Sequence, residues 1–290
     1  MEGFAGGTGL RSLVVIPARL GSTRLPRKML LPAGGKPIIQ HTYECACRAC
    51  KPAGVCVATD HDQIATAVRA FGGQVVMTDP AATCGTERVA EVARNMPQFD
   101  VLVNLQGDEP EMPGQYIDLV IELLQRNRQC VIATVAAPLR DRALLDNPAC
   151  VKIALALADS PLAIELPEGN SGSGDGPTWA AAWLAAGGVR WGRALYFSRS
   201  PIPHARHWDD RLLVADPPVF YQHLGLYAYR REFLLRLAQM PPSPLEELEK
   251  LEQLRVLEAG YEILVGIVPE PTLGIDTPED YQRFVAKLGG

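Results

Sequence analysis

Three short stretches of this 290-residue chain place charged groups where strands should end. An apolar run is followed by Arg19, Arg24, Arg27 and Lys28 in RLGSTRLPRK; a second, VLVNL, empties into Gln106-Gly107-Asp108-Glu109-Pro110; a third leads to Gly274-Ile275-Asp276-Thr277-Pro278. A loop whose glycine lets the backbone approach an anion, and whose guanidinium and ammonium groups supply charge, suits a polyphosphate. Two carboxylates at strand ends suit Mg²⁺, a hard cation that takes one or two carboxylates plus phosphate oxygens. In extended backbone Asp108 and Glu109 face opposite ways, so both reach a ligand only if the chain bends. Each feature also has a plainer reading: the cations as a solvated turn, Asp108 as a turn aspartate, Asp276 as the residue ahead of a helix capped by Thr277 with Pro278 at its first position. Neither GxxxxGK[ST] nor GxGxxG occurs, so the loop is not a P-loop or a dinucleotide fingerprint. Spacing alone points to a Mg²⁺-dependent enzyme handling a nucleotide or sugar phosphate.

Strand-like runs at Leu13–Ala18, Val55–Asp60, Val75–Thr78, Val101–Gln106, Val131–Ala136 and Val151–Leu157 alternate with helix-like runs at Pro37–Ala49, Asp62–Phe71, Glu87–Asn95 and Gly114–Arg126. That rhythm predicts βαβ units and a mostly parallel sheet covered on both faces. Strands at Ala194–Ser198, His223–Tyr229 and Ile263–Val268, and helices from Leu245 and Pro278, extend it. Leu245, Leu248, Leu251 and Leu254 lie at helical spacing and read as core. Ligands bind such sheets at the carboxyl ends of the strands, where the charged stretches fall. The Gly- and Ser-rich PEGNSGSGDGP breaks the rhythm, and Leu166–Gly192 reads as an insertion loop within one domain spanning 1–290.

With 28 basic and 33 acidic residues the net charge is −5, which argues against broad nucleic-acid binding and leaves the basic cluster a local feature for a small anion. Apolar residues make up 47% of the chain, enough for a sizeable core. The opening MEGFAGGTGLRS lacks the apolar stretch of a secretory signal, and no run approaches the roughly 18 apolar residues of a membrane span, so a cytoplasmic protein without a membrane partner is expected. Of seven cysteines, Cys45, Cys47, Cys50 and Cys56 are the one set near enough to form a metal site; reduced thiols are the plainer reading.

The stretches PARLGSTRLPRKML, GTERVAE, VNLQGDEP, ALYFSRSPIP, HLGLYAYR, PSPLEELEKLEQLRVLE and GIDTPEDYQRF, in this order over about residues 12–285, closely resemble the 3-deoxy-manno-octulosonate (Kdo) cytidylyltransferases. The resemblance implies a Rossmann-like α/β nucleotidyltransferase fold with a mixed, mostly parallel sheet. It implies synthesis of CMP-Kdo and pyrophosphate from CTP and Kdo for lipopolysaccharide assembly, and a homodimer. By the family's pattern Arg19, Arg24 and Lys28 hold the triphosphate and Asp108 and Asp276 carry Mg²⁺. Gln106 lies between nucleotide and sugar, Cys84-Gly85-Thr86 with Arg88 borders the cytosine, and Arg199, His223, Tyr227, Glu246 and Gln253 shape the Kdo pocket. Glu246 has a local alternative, since Ser243-Pro244-Leu245-Glu246 makes a capping box; His223 can equally be an ordinary hydrogen-bonded histidine.

The chain departs from the family pattern in three places. Arg27 stands where LPGK is common, Ala82 and Cys84 replace a frequent histidine and serine, and Leu166–Gly192 replaces a short link. A CMP-sialate synthetase would share the fold but usually carries Gly-Ser-Lys in the first loop, where this chain has Gly21-Ser22-Thr23-Arg24. A nucleotide-binding protein that has lost catalysis is disfavoured by Lys28, Asp108 and Asp276.

Overall fold

A computed structural model describes residues 10–21, 24–82, 84–162 and 188–289. Its strands are β1 (Ser12–Ala18), β2 (Pro32–Ala33), β3 (Lys36–Pro37), β4 (Val55–Thr59), β5 (Val75–Met77), β6 (Val101–Leu105), β7 (Ile132–Pro138), β8 (Lys152–Leu157), β9 (Trp191–Ser198), β10 (Tyr221–Arg230) and β11 (Ile263–Ile267). Its helices are α1 (Ile38–Ala46), α2 (Asp62–Ala70), α3 (Gly85–Asn95), α4 (Gly114–Arg126), α5 (Arg142–Asp146), α6 (Arg231–Leu237), α7 (Pro244–Glu249), α8 (Gln253–Glu258) and α9 (Pro278–Gly289). The chain gathers into two compact units: the described parts of Met1–Ile121, Gly225–Met240 and Thr272–Gly290 form the first, and those of Glu122–Leu224 and Pro241–Pro271 the second.

In the first unit the strands run in the order β5-β4-β1-β6-β10. The first four are parallel and β10 is antiparallel to β6. Every residue of β1, β4 and β6 is buried, which is why these segments read as nearly continuous apolar runs and not as alternations. Helices α1 and α3 pack on β1 and β4, and α3 also reaches β6. Strands β2 and β3 form a tight hairpin over Gly34 and Gly35, whose φ values of 54° and 81° are those a two-residue hairpin turn needs.

The second unit orders its strands β7-β11-β9-β8. Only β7 and β11 are parallel; β9 is antiparallel to both neighbours, with a register shift at Ala154/Leu155. The mixed sheet is thus found, with its parallel character concentrated in the first unit. Strand β9 starts at Trp191, and Val189 bridges to Leu162, so the last residues assigned to an insertion loop are regular structure. Positions 166–187 of that loop lie outside the described residues.

One expectation is corrected. The leucines from 245 to 254 do not share one helix: α7 stops at Lys250, which sits in the left-handed region at φ 53°, and α8 begins anew at Gln253. The break rotates the helical face, leaving Leu251 and Leu254 buried while Leu248 is 81% exposed. The seven cysteines are thiols: Cys47 and Cys50 exposed, Cys84 intermediate, and Cys45, Cys56, Cys130 and Cys150 buried. Burial pushes the Cys56 thiol up to about 12.

Candidate active site

The first unit opens a cavity of about 340 Å³ at the carboxyl ends of β1 and β6. Arg19, Arg24, Lys28, Cys84, Gly85, Arg88, Gln106, Asp108 and Asp276 all line it, so every residue assigned to phosphate or metal reaches one space. Thr86 does not line it; it is buried in the first turn of α3.

Each charged group is placed by a local device. The loop after β1 is tied down by Leu25, which packs with Ala33, Ile38, Ile275 and Phe284. A 3-10 turn at Lys28–Leu30 follows, entered through Arg27 at φ 55°. That conformation suits glycine, so an arginine here holds it at some backbone cost. Arg27 is exposed and its guanidinium donates to Gln63 Oε1 at 2.9 Å. After β6 the chain does bend: the Glu109 N–H donates to the Gln106 carbonyl at 3.2 Å, so Asp108 lines the cavity. Glu109 accepts the Thr272 hydroxyl at 2.9 Å. Loss of water around Glu109, with Asp108 and then Asp276 nearby, raises its carboxyl to about 7 against the pull of the Thr272 hydrogen bond.

Asp276 precedes α9. Thr277 Oγ1 accepts from the Asp280 N–H at 3.2 Å, while the Asp280 carboxylate accepts from the Asp276 and Thr277 N–H groups, a reciprocal cap with Pro278 in the first turn. Burial works to raise the Asp280 carboxyl, but the donors of Thr277 and Asp276 outweigh it and hold it below its ordinary value.

Between the loops lies the Lys28 ammonium, only 7% exposed. Its Nζ donates to Asp108 Oδ2 at 2.5 Å and to Asp276 Oδ1 at 3.1 Å, and Arg24 adds a 3.0 Å contact to the same Asp276 oxygen. Residues 168 positions apart in sequence thus place carboxylate oxygens around the Lys28 ammonium. This donor set fits Mg²⁺: two hard oxygens, with the cavity leaving room for phosphate oxygens. Among the described residues no cluster of three or more His, Cys, Asp or Glu groups gathers to hold a metal.

Also on the cavity lining, α3 begins at Gly85, two residues before the sequence pattern indicates. A Cβ on Gly85 would stand 3.2 Å from the Pro17 ring, so this approach is tight. Arg88 lines the cavity, but its guanidinium is committed to Asp60 Oδ2 at 2.7 Å and Thr78 Oγ1 at 2.8 Å. Gln106 donates to Asn104 Oδ1 at 3.1 Å, which orients its amide.

Of the residues assigned to the sugar, Gln106 and Tyr227 belong to the first unit, the latter stacked on Tyr229. The other four belong to the second. His223 Nε2 pairs with the Thr134 hydroxyl at 3.0 Å, and burial drives its pKa down to about 3. Glu246 closes the capping box with Ser243 and also receives the Arg255 guanidinium through both oxygens, at 2.6 and 2.5 Å. Gln253 is buried at the start of α8. The Arg199 guanidinium donates to the carbonyls of Glu249, Pro148 and Lys250, and its N–H to the Glu249 carboxylate. Sequence reasoning missed two residues that organise these places, Glu109 and the fully buried Lys152; a charged residue inside an otherwise apolar strand was the available signal for the latter.

Comparison with known proteins bears on the same residues. The family model described as cytidylyltransferase matches residues 13–263. A 3-deoxy-manno-octulosonate cytidylyltransferase of Rhodopirellula baltica is 42% identical over 280 residues, 96% of this chain and 99% of its own. An 8-amino-3,8-dideoxy-manno-octulosonate cytidylyltransferase of Shewanella woodyi is 40% identical, covering 95% and 97%. A solved CMP:2-keto-3-deoxy-manno-octonic acid synthetase in complex with CTP superposes with a TM-score of 0.77 at 34% identity, over 96% of this chain and 98% of the other. With strand-end charges gathered in one cavity and these relatives aligned along nearly the whole chain, the protein belongs to the cytidylyltransferase family and, within it, to the 3-deoxy-manno-octulosonate cytidylyltransferases.

Proposed function

We propose that this enzyme transfers CMP from CTP to Kdo, giving CMP-Kdo and pyrophosphate, and so feeds lipopolysaccharide biosynthesis in the cytoplasm. The observation that carries the reading is the convergence of Arg19, Arg24, Lys28, Asp108 and Asp276 on one cavity, in a chain 42% identical to a relative named for this activity. No helix among the described residues is long and apolar enough to cross a membrane. A homodimer is the state to look for in solution.

The arginines and lysine bind the triphosphate by charge-assisted hydrogen bonds. Lys28 uses two of the three N–H donors of an ammonium on Asp108 and Asp276, which leaves one for a phosphate oxygen. Gln106, held by Asn104, presents its amide to the cavity, between nucleotide and sugar. The anomeric hydroxyl of Kdo attacks the α-phosphorus in line and pyrophosphate leaves from the opposite side, so no protein nucleophile is needed. Positive groups fixed where charge accumulates lower the barrier. Asp108 and Asp276 would hold Mg²⁺, which when bound neutralises charge on the phosphate oxygens.

Pyrophosphate release from CTP, measured with Kdo, 8-amino-Kdo and sialic acid in parallel and with Mg²⁺ present or chelated, tests this reading. Rapid release with Kdo, lost on chelation, is the expected result. Preference for 8-amino-Kdo would move the enzyme to the activity named for the Shewanella woodyi relative. Release with none of the three sugars would overturn the proposal.

A further inference from the structure

Glu109 does not itself line the cavity, yet its side chain joins the two loops that carry the paired carboxylates. Its Oε2 accepts the Thr272 hydroxyl at 2.9 Å across 163 positions of sequence. Its Oε1 lies so close to Gly274 that a Cβ there would stand 2.9 Å from it. Alongside, the Ile275 N–H donates to the Asp108 carbonyl at 2.8 Å. Asp108 precedes Glu109, and Asp276 follows Ile275. The spacing between the two carboxylates is therefore set by a short bracket whose side-chain half is Glu109–Thr272 and whose backbone half is Asp108–Ile275.

We infer that Glu109 is a positioning residue for the reaction: by holding the Thr272–Ile275 segment against the strand-end loop, it keeps Asp108 and Asp276 at the separation at which both grip one divalent cation. This rests on the reading of Asp108 and Asp276 as the Mg²⁺ ligands. Lys28 joins the two carboxylates themselves, and Glu109 joins the chain segments that carry them. Groups that orient metal ligands typically change metal affinity about 10–100-fold when removed, although they never touch the ion. The role needs an accepting oxygen of the right reach and not a negative charge, so glutamine should serve.

The test measures binding of Mn²⁺ to the protein–CTP complex by electron paramagnetic resonance, without sugar, beside the Mg²⁺ dependence of turnover. Glu109→Ala should weaken Mn²⁺ binding about ten-fold or more and raise the Mg²⁺ needed for half-maximal rate, with much of kcat restored at high Mg²⁺. Glu109→Gln should stay near wild type. Thr272→Val, which removes one hydrogen bond, should shift both readings the same way by a smaller factor and carries the test if Glu109→Ala does not fold. A folded Glu109→Ala protein, or Thr272→Val in its place, with wild-type Mn²⁺ affinity would overturn the inference. Glu109→Gln as damaged as Glu109→Ala would overturn it too, since charge and not position would then matter. Asp108→Asn serves as the reference: if it leaves Mn²⁺ binding unchanged, the metal assignment itself fails and the inference with it, whereas a weakened Asp108→Asn beside an unaffected Glu109→Ala removes the inference alone.

Discussion

In the first unit a buried lysine, Lys28, meets two carboxylates at a cavity wall; in the second a buried lysine, Lys152, meets three backbone carbonyls, those of Asn147, Cys150 and Arg199. The same contrast holds for arginines. Arg24 reaches Asp276 from an exposed loop, while Arg199 spends its guanidinium on the carbonyls of Glu249, Pro148 and Lys250. A side-chain partner can be exchanged for a ligand by rotating a few bonds. A carbonyl cannot leave without unmaking the backbone around it. Charges answered by charges at a cavity therefore mark the exchangeable chemistry, and charges answered by carbonyls mark the frame.

The contrast is broken most forcefully at the two lysines. Lys28→Ala should lower kcat for pyrophosphate release by about 10³-fold, the scale of losing one fixed donor to developing charge, with an unchanged circular dichroism spectrum. Near-normal turnover in the folded variant would remove Lys28 from the chemistry. Lys152→Met should do the reverse: stability to urea falls by about 3 kcal/mol, because carbonyls that the ammonium satisfied are left buried without a donor. CTP affinity stays within about two-fold, because the partners of the Lys152 ammonium are not among the residues that line the cavity. A large loss of CTP affinity in a stable Lys152→Met protein would erase the distinction.

Asp108→Asn and Asp276→Asn should each cost about 100-fold in rate and raise the Mg²⁺ requirement; because both act on one ligand unit, the double variant should lose far less than the product. Multiplicative losses would separate the two carboxylates. A smaller effect sharpens the frame side. His223 is held at about 3 in the folded chain against an ordinary 6.5, so the unfolded chain binds the extra proton between those values. Stability from this group is full above pH 6.5 and falls as pH drops toward 3, by about 2 kcal/mol at pH 5. His223→Gln should flatten that part of the melting-temperature profile, and an unchanged slope would show the acid sensitivity to lie elsewhere. Smallest of all, Arg27→Gly relieves the positive φ at the expense of a more flexible unfolded chain, for a net gain below about 1 kcal/mol. Its turnover should match wild type, since the side chain is engaged with Gln63; a marked drop would place Arg27 on the ligand side.

The parallel sheet was legible because β1, β4 and β6 are buried along their whole length and carry one polar residue apiece, Ser12, Thr59 and Asn104, too few to make an alternating pattern. Lys28, Asp108 and Asp276 were legible because strand ends are where such sheets bind ligands. The break at Lys250 was not: lysine carries no preference for the left-handed region, and the leucine spacing runs straight through it. The start of α3 was hidden by Gly85, a poor helix former held there by its closeness to Pro17. Glu109 stayed unassigned because an adjacent acidic pair at a strand end shows that one side chain turns away, without showing what it meets there. Thr272, 163 positions downstream, has no sequence signature linking it to Glu109.

The depth at which the thiols sit makes the molecule its own gauge of local opening. Exposed Cys47 and Cys50 are open to an alkylating reagent in the native state, and Cys84 on the cavity wall should be shielded by bound CTP. Buried Cys45 and Cys56 lie in the first unit, and buried Cys130 and Cys150 in the second. Each of these four can be labelled only while its surroundings are transiently unfolded, so its labelling rate reads the free energy of that opening. Pulsed alkylation followed by mass spectrometry would rank the two units by opening free energy within one unmodified chain, with the nucleotide's footprint recorded at Cys84 in the same experiment.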